Sequence, residues 1–139
     1  MAQTAGYSGT PLSRKLGIKP GFRVWTFRAP DHYPALLAPL PEQVQISSRL
    51  RRPVDLAHAF VHTRRQLTDG LDRAQARVPD DAMIWISWPK KSSGVPSEVT
   101  EDTVRELALP RGLVDVKVCA VDEVWSGLKL VVRKANRRS

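Results

Sequence analysis

The chain has 139 residues, of which 42% are hydrophobic and 26% are charged, a composition typical of one globular domain. No apolar run approaches the roughly 20 residues of a membrane helix, and the N-terminus lacks the basic and apolar regions of a signal peptide. A single cysteine, Cys119, excludes an internal disulfide. The composition therefore argues against a membrane-spanning or disulfide-stapled protein and predicts cytoplasmic residence.

The formal net charge of +8 is unevenly distributed. Residues 1–65 contain ten Lys and Arg against three acidic residues, whereas the rest of the chain is nearly balanced. Such an excess is typical of proteins that contact nucleic acid. Because the basic residues are scattered and fill no single motif, a solvated basic surface is the simpler interpretation.

The patterns along the chain predict alternating helices and strands. Thr10 and Pro11 are typical of a helix start and Gly17 of a helix end, while Thr63 and Gln66 have the spacing of a capping box. The predicted helices lie over 12–16, from 31–33 onward, from 63 to before 79, and over 100–109. The predicted strands lie over 22–27, 43–46, 55–62, 81–88, 114–121 and 128–133.

The prediction of this fold depends most on the stretch from Asp81 to Lys91. Its apolar run is too short for a typical helix and favours a strand, which must end at Pro89 because proline cannot donate to a sheet. Two lysines follow directly, so a buried strand opens into a basic loop.

Strands that alternate with helices indicate an α/β protein. We predict a Rossmann-like, mostly parallel six-stranded sheet with helices on both faces. No helix fits between the last two strands, so they form a C-terminal antiparallel hairpin, and the predicted order is 2-1-3-4-6-5. The predicted organisation is a flexible tail over 1–10, one domain over 11–134 and a basic tail over 135–139.

The closing arrangement of strand, helix, strand and antiparallel hairpin resembles class I S-adenosylmethionine-dependent methyltransferases. Asp55-Leu56-Ala57-His58 is similar to the Asp-Leu-x-His opening of one of their strands, and residues 81–88 resemble a later strand. The resemblance covers roughly residues 20–133 and implies their fold.

The chain departs from those enzymes at two points. They bind the cofactor with a glycine-rich turn after the first strand, because only glycine lets the backbone approach the ligand closely. The turn here is Ala29-Pro30-Asp31-His32, without glycine. They place an acid after the second strand, where Gln45-Ile46-Ser47 has none. The chain is also about one strand and one helix shorter, so the resemblance implies at most a degenerate methyltransferase and leaves the cofactor unknown.

Another resemblance spans nearly the whole chain. Four segments resemble the bacterial family labelled domain of unknown function 3052, a label that implies no activity. The segments are Ser8-Gly9-Thr10-Pro11-Leu12, Lys15-Leu16-Gly17-Ile18-Lys19-Pro20-Gly21, Ser87-Trp88-Pro89-Lys90-Lys91, and residues 117–129 from Lys117 to Lys129.

The predicted functional site lies at the carboxyl ends of the strands, where parallel sheets bind ligands. Trp88 and Trp125 are candidates to stack on a planar ligand, and Lys90 and Lys91 to bind a phosphate or carboxylate. The alternative is that both rings cap the core and the lysines are solvated. The predicted ligand-binding residues are Thr63, Arg64, Ser87, Trp88, Lys90, Lys91, Asp122, Glu123, Trp125 and Ser126.

The remaining reactive side chains form no recognisable catalytic or metal motif. Asp122 and Glu123 are candidates for an acid–base pair, or for partners of the two lysines. His58 and His62 lie four positions apart in a strand, about 13 Å at 3.3 Å per residue, too far to share a metal. Cys119 is predicted to be a packed apolar residue. We predict no metal site and identify no nucleophile–base pair.

Three hypotheses of function follow from the sequence. The leading one is a non-enzymatic domain that binds a small anionic or nucleotide-like ligand, or a protein partner, at the carboxyl edge of its sheet. The second is nucleic-acid binding through the basic surface. The third is a degenerate S-adenosylmethionine-dependent methyltransferase.

Overall fold

The computed structural model of the chain describes residues 10–51 and 53–134. The predicted tails, apart from Thr10, and Arg52 lie outside the described residues. The helices are α1 (Leu12–Leu16), α2 (Tyr33–Leu37), α3 (Arg64–Gln75) and α4 (Glu101–Ala108), with 3₁₀ helices at Lys91–Ser93 and Leu109–Arg111. The strands are β1 (Arg23–Phe27), β2 (Gln45–Ser47), β3 (Leu56–Phe60), β4 (Met83–Pro89), β5 (Leu113–Ala120) and β6 (Trp125–Val132).

The six strands form one sheet in the order β2-β1-β3-β4-β6-β5. β1 pairs in parallel with β2 and β3, β3 pairs in parallel with β4, and β6 is antiparallel to both of its neighbours. The predicted order, the reversed strand and the Rossmann-like α/β class are confirmed. Because the chain leaves β1 toward β2 and then returns to β3 on the other side, the strand order reverses between β1 and β3. That switch point is where open α/β sheets bind ligands.

The sheet separates two hydrophobic clusters, because successive side chains of a strand point to opposite faces. α3 and α4 pack on one face, against Trp25, Ile86 and Trp88. α1 and α2 pack on the other face, against Phe60 and Trp85. The predicted helices on both faces are therefore confirmed. None of the helices within the described part of the chain has the length and apolar character required to cross a bilayer.

Most strand and helix bounds differ from the predicted ones by one to three residues. At two places the structure shows what sets the start of an element. β6 begins at Trp125 instead of residue 128, because Asp122 Oδ1 accepts hydrogen bonds from the amides of Val124 and Trp125, both at 2.8 Å, and closes the hairpin early. Pro11, not Thr10, occupies the N-cap position of α1, with an extended backbone that leads into the helix.

The N-terminus of α3 has the cap that the sequence predicts, with one change. Thr63 Oγ1 accepts a hydrogen bond from the Gln66 amide at 3.0 Å. The Gln66 side chain accepts from the amide of His62 at 2.7 Å, whereas a capping box would use the Thr63 amide. The change still satisfies two amides at the helix start.

We expect Thr63→Ala to lower the free energy of unfolding by about 1 kcal/mol, because the substitution removes this cap. Thr68→Ala is the matched control, since Thr68 lies on the exposed side of the same helix. Urea unfolding of both variants measures the difference. Equal losses in the two variants would contradict the capping role.

Candidate ligand site at the carboxyl edge of the sheet

Segments distant in sequence meet at the carboxyl edge. The Lys90 amide donates a 2.7 Å hydrogen bond to the carbonyl oxygen of Val124, and Pro89 and Trp125 face each other in the sheet. His32 Nε2, after β1, lies 3.2 Å from Asp122 Oδ2 in the β5–β6 turn. The structure thus makes Lys90 and Trp125 neighbours, as the topology predicts.

The two tryptophans do not face a common pocket. Trp88 is opposite Ser126 and Trp125 is opposite Pro89, so the two rings are one position out of phase and point to opposite faces of the sheet. Trp88 belongs to the α3–α4 cluster and Trp125 to the α1–α2 cluster, and their exposures are 6% and 8%. The prediction that both rings stack on one ligand is therefore corrected, and the alternative that they cap the core holds.

Ser87 lies in the core and joins a buried polar network. Its Oγ is 2.7 Å from His58 Nε2, and the hydroxyl of Tyr33 is 2.8 Å from His58 Nδ1. Ser87 and His58 are both completely buried, and the His58 ring stacks on Phe60 with centroids 4.3 Å apart. Ser87 therefore has no exposed surface with which to contact a ligand, which corrects its predicted place at the rim.

This network is a serine–histidine pair that the sequence analysis missed. Burial lowers the pKa of His58 to about 3 and raises the pKa of Tyr33. A neutral imidazole has one N–H donor and one acceptor, and the two hydroxyls satisfy both. So low a pKa makes His58 a weak base, and the third group is a hydroxyl instead of the carboxylate that would stabilise an imidazolium. The hydrogen-bond geometry and the neutral state of the imidazole both indicate a structural role for this network.

Thr63 and Arg64 are engaged with other protein groups. The Arg64 amide donates a 3.0 Å hydrogen bond to Glu98 Oε1, so a protein carboxylate already occupies the N-terminus of α3. Arg64 Nη2 lies 2.5 Å from Glu106 Oε2 on α4, and this ion pair raises the pKa of Arg64 and lowers that of Glu106. Arg64 therefore fastens α3 to α4 and to the segment after β4, whereas Thr63 caps α3.

The charged residues at the hairpin and after β4 differ in their contacts and in their exposure. Asp122 pairs with His32, in contrast to the alternative in which the acids pair with the lysines. Glu123 and Lys91 are exposed, whereas Lys90 is half-buried. Ser126, also half-buried, takes part in the β-ladder opposite Trp88 and Ala120.

The structure presents a further feature at this edge, an open depression of about 550 Å³ that we call the β1 crevice. It lies between the carboxyl end of β1 and the first turns of α3. Its lining residues are Phe27, Arg28, Arg65, Gln66, Thr68, Asp69 and Asp72.

Two guanidinium groups of the β1 crevice carry unneutralised charge. Asp69 pairs with Arg73 and Asp72 pairs with Arg111. Within residues 10–51 and 53–134, no carboxylate lies within 4.0 Å of the guanidinium nitrogens of Arg28 or Arg65. The sequence analysis missed both arginines, although Arg28 directly follows a predicted strand.

Arg28 has an unusual backbone conformation, with a φ of 59°. Non-glycine residues rarely adopt this left-handed region, and it costs roughly 1–2 kcal/mol. The turn that follows β1 therefore carries an arginine in a conformation that suits glycine.

The remaining reactive residues are His58, His62 and Cys119. His58 is confirmed as a core histidine, and the His62 ring packs edge-on against Trp125 at 5.2 Å. Cys119 is half-buried against the α1–α2 cluster, and burial raises the pKa of its thiol. In the described ranges, no group of three or more His, Cys, Asp or Glu side chains is arranged to hold a metal ion.

A family model described as Protein of unknown function (DUF3052) matches residues 58–134, more than half of the chain. The match begins within β3 and includes α3, β4, α4 and the C-terminal hairpin. None of the curated proteins matches the sequence.

Several solved structures have the same fold. An S-adenosylmethionine-dependent methyltransferase from Aquifex aeolicus superposes with a TM-score of 0.62 at 15% identity, over 87% of each chain. Aeropyrum pernix fibrillarin, solved with natively bound S-adenosyl-L-methionine, gives 0.57 at 17% identity over 88% of this chain and 69% of its own. The B. subtilis tRNA methyltransferase TrmK gives 0.59 at 9% identity over 94% and 67%. At these identities the similarity establishes a methyltransferase-like fold.

Proposed function

We propose that this chain, which belongs to the DUF3052 family of proteins of unknown function and has a methyltransferase-like fold, binds a small anionic, nucleotide-like ligand at the carboxyl edge of its sheet. The observation that carries the proposal is the pair of unneutralised guanidiniums, Arg28 and Arg65, in the β1 crevice. Guanidinium groups bind phosphate and carboxylate with two parallel hydrogen bonds.

The position of the β1 crevice supports the same proposal. It adjoins the strand at which the sheet order reverses, and ligands of open α/β sheets bind outside the carboxyl ends at that point. Phe27 adds an apolar wall, and Gln66 and Thr68 add polar groups, a combination typical of small-molecule sites. Lys90 and Lys91, after β4, form a separate group of cations along the same edge and are the alternative location for the ligand.

S-adenosylmethionine is the ligand of the fibrillarin neighbour, and the residues here do not fit the features that the methyltransferase resemblance implies. Arg28 brings a side chain into the turn after β1, where a glycine would let the backbone approach the cofactor. Ser48 and Arg49, not an acid, follow β2. Because neither feature fits, we expect no heat of binding when S-adenosylmethionine is titrated calorimetrically. Micromolar affinity would overturn this conclusion.

A thermal-shift panel of nucleotides and phosphorylated metabolites tests the proposed function. We expect at least one anionic member to stabilise the protein, because a ligand at 100 times its Kd adds about 2.7 kcal/mol to folding. The combined Arg28→Gly and Arg65→Ala variant should lose this shift. If no compound raises the unfolding temperature and mass spectrometry finds no co-purifying small molecule, the small-ligand proposal fails.

The single variant Arg28→Gly distinguishes an effect on ligand affinity from an effect on protein stability. Glycine adopts a φ of 59° without strain, so we expect this variant to be at least as stable as the natural protein. The same variant should bind the anionic ligand more weakly, since half of the unneutralised charge is gone. The matched control is Lys90→Ala with Lys91→Ala, which removes two charges at the same edge. If only that control loses binding, the ligand lies at β4 and not in the β1 crevice.

A further inference from the structure

A second depression, of about 720 Å³, lies on the edge of the sheet formed by β2, away from the β1 crevice. We call it the arginine edge, after Arg49, Arg51 and Arg77, which line it with Ser48 and Ala76. Arg77 follows α3, and its carbonyl oxygen accepts from the amide of Val54 just before β3. The arginine edge thus extends from the end of β2 toward the amino end of β3.

Contacts of Arg77 and Trp25 hold the residues that line this depression in place. The Arg77 guanidinium lies over the Trp25 ring, 4.6 Å from its centroid, and donates to the carbonyl oxygens of Leu50 (3.3 Å) and Arg73 (2.9 Å). Trp25 Nε1 donates to the carbonyl oxygen of Ser48 at 3.2 Å. These bonds hold the segment after β2 against the sheet through its backbone.

Arg23 holds the same segment from the start of β1. Its guanidinium donates to the carbonyl oxygens of Arg51 (3.2 Å) and Pro53 (3.0 Å). The backbone of the segment is therefore anchored by two other arginines. The side chains of Arg49 and Arg51 are exposed.

The positive charge of the arginine edge is not neutralised by the protein. In the part of the chain that the structure describes, no carboxylate lies within 4.0 Å of the guanidinium nitrogens of Arg23, Arg49, Arg51 or Arg77. Their recorded side-chain partners are carbonyl oxygens, the Gln45 side-chain amide and an aromatic ring. Three of these guanidiniums, on Arg23, Arg49 and Arg51, belong to residues 1–65 and contribute to the +7 balance of that half of the chain.

We propose that the arginine edge binds the phosphate backbone of double-helical nucleic acid without reading its sequence. Two exposed guanidiniums, on Arg49 and Arg51, beside the half-buried ones of Arg23 and Arg77 in an open depression suit a row of phosphates better than one enclosed metabolite. A duplex is favoured over a single strand because Trp25, the aromatic ring at this edge, is 2% exposed and covered by Arg77. Single-strand binding proteins use exposed aromatic rings to stack bases.

Fluorescence anisotropy with a labelled DNA duplex of mixed sequence at 50 mM and 200 mM salt tests the proposal, with an RNA duplex as the second probe. If three arginines contact phosphates, the logarithmic salt slope is about −2.7, and affinity falls about 40-fold between the two salt concentrations. Arg49→Ala with Arg51→Ala should weaken binding at 50 mM salt by roughly tenfold or more and reduce the slope to about −1.

Lys90→Ala with Lys91→Ala is the matched control, because it removes the same net charge at another surface. Equal losses in both double variants would show that net charge alone drives binding and would overturn the proposal. Absence of wild-type binding at 50 mM salt would overturn it as well. Displacement of the duplex by micromolar inorganic pyrophosphate would assign the arginine edge to small phosphates instead. The Arg28 and Arg65 variants should bind duplex normally, which separates this proposal from the one for the β1 crevice.

Discussion

Between pH 7 and pH 5, the protein should lose about 2 kcal/mol of folding free energy through His58 alone. His58 is completely buried between the hydroxyls of Tyr33 and Ser87, and burial lowers its pKa from 6.5 to about 3. In this pH range the unfolded chain takes up a proton at this imidazole, whereas the folded protein does not. The stabilisation is therefore complete above pH 6.5 and declines as the pH falls toward 3.

Urea unfolding at pH 7 and pH 5 measures this effect in the natural protein and in His58→Gln, which keeps a donor and an acceptor but does not titrate. We expect the variant to lack about 2 kcal/mol of the pH-dependent loss. His62→Gln is the control, because it removes a histidine from the segment directly after β3 and leaves His58 intact. Identical pH dependence in the natural protein and in His58→Gln would contradict the buried neutral imidazole.

Asp122→Ala should destabilise the protein by about 2–3 kcal/mol, although the sequence presents Asp122 as one of two equivalent acids in a turn. Its Oδ1 accepts from the amides of Val124 and Trp125, and its Oδ2 faces His32. Hydrogen bonds to a charged acceptor are stronger than neutral ones, and their loss leaves two amides at the start of β6 unsatisfied.

Glu123→Ala is the matched control, since the Glu123 side chain is the exposed neighbour. We expect that variant to stay within about 0.5 kcal/mol of the natural protein in a denaturant titration. Asp122→Asn should be intermediate, because an amide oxygen still accepts from the backbone. If Asp122→Ala and Glu123→Ala unfold at the same denaturant concentration, the carboxylate does not hold the hairpin.

The fold could be predicted from sequence because its signals are local and consistent with one another. The cap at Thr63, the apolar run of β4 and the lack of room for a helix between β5 and β6 each point to one arrangement, and the rule for parallel connections selects the strand order. The errors lie at element ends. The early start of β6 depends on Asp122, whose side chain closes the turn through bonds that residue type alone does not specify.

The details of the site could not be predicted, because they depend on which face each side chain takes. A one-position offset between paired strands sends Trp88 and Trp125 to opposite faces, and the strand sequences do not fix that offset. Ser87 on β4 reaches His58 on the neighbouring β3, two positions away in the register, so the pairing of these strands decides the contact. Arg28 lines the β1 crevice from a left-handed backbone conformation, which no pattern of arginines predicts.

The predicted ligand-binding residues therefore include buried core residues as well as exposed charged ones. Trp88, Ser87 and Trp125 are core residues, and Arg64 fastens two helices. The exposed charged groups at the edge include Lys91, Glu123 and the arginines of the β1 crevice. A protein of this fold can keep the ligand position of its structural neighbours while it changes the groups that line the position.

The most direct test of the proposed ligand site is a ¹H–¹⁵N NMR titration with adenosine monophosphate as the probe. We predict that the largest shift changes fall on the amides of Phe27, Arg28, Arg65 and Gln66, and that Arg28→Gly with Arg65→Ala abolishes them. Changes confined to Arg49, Arg51 and Arg77, or none at millimolar concentration, would contradict a ligand site at the carboxyl end of β1.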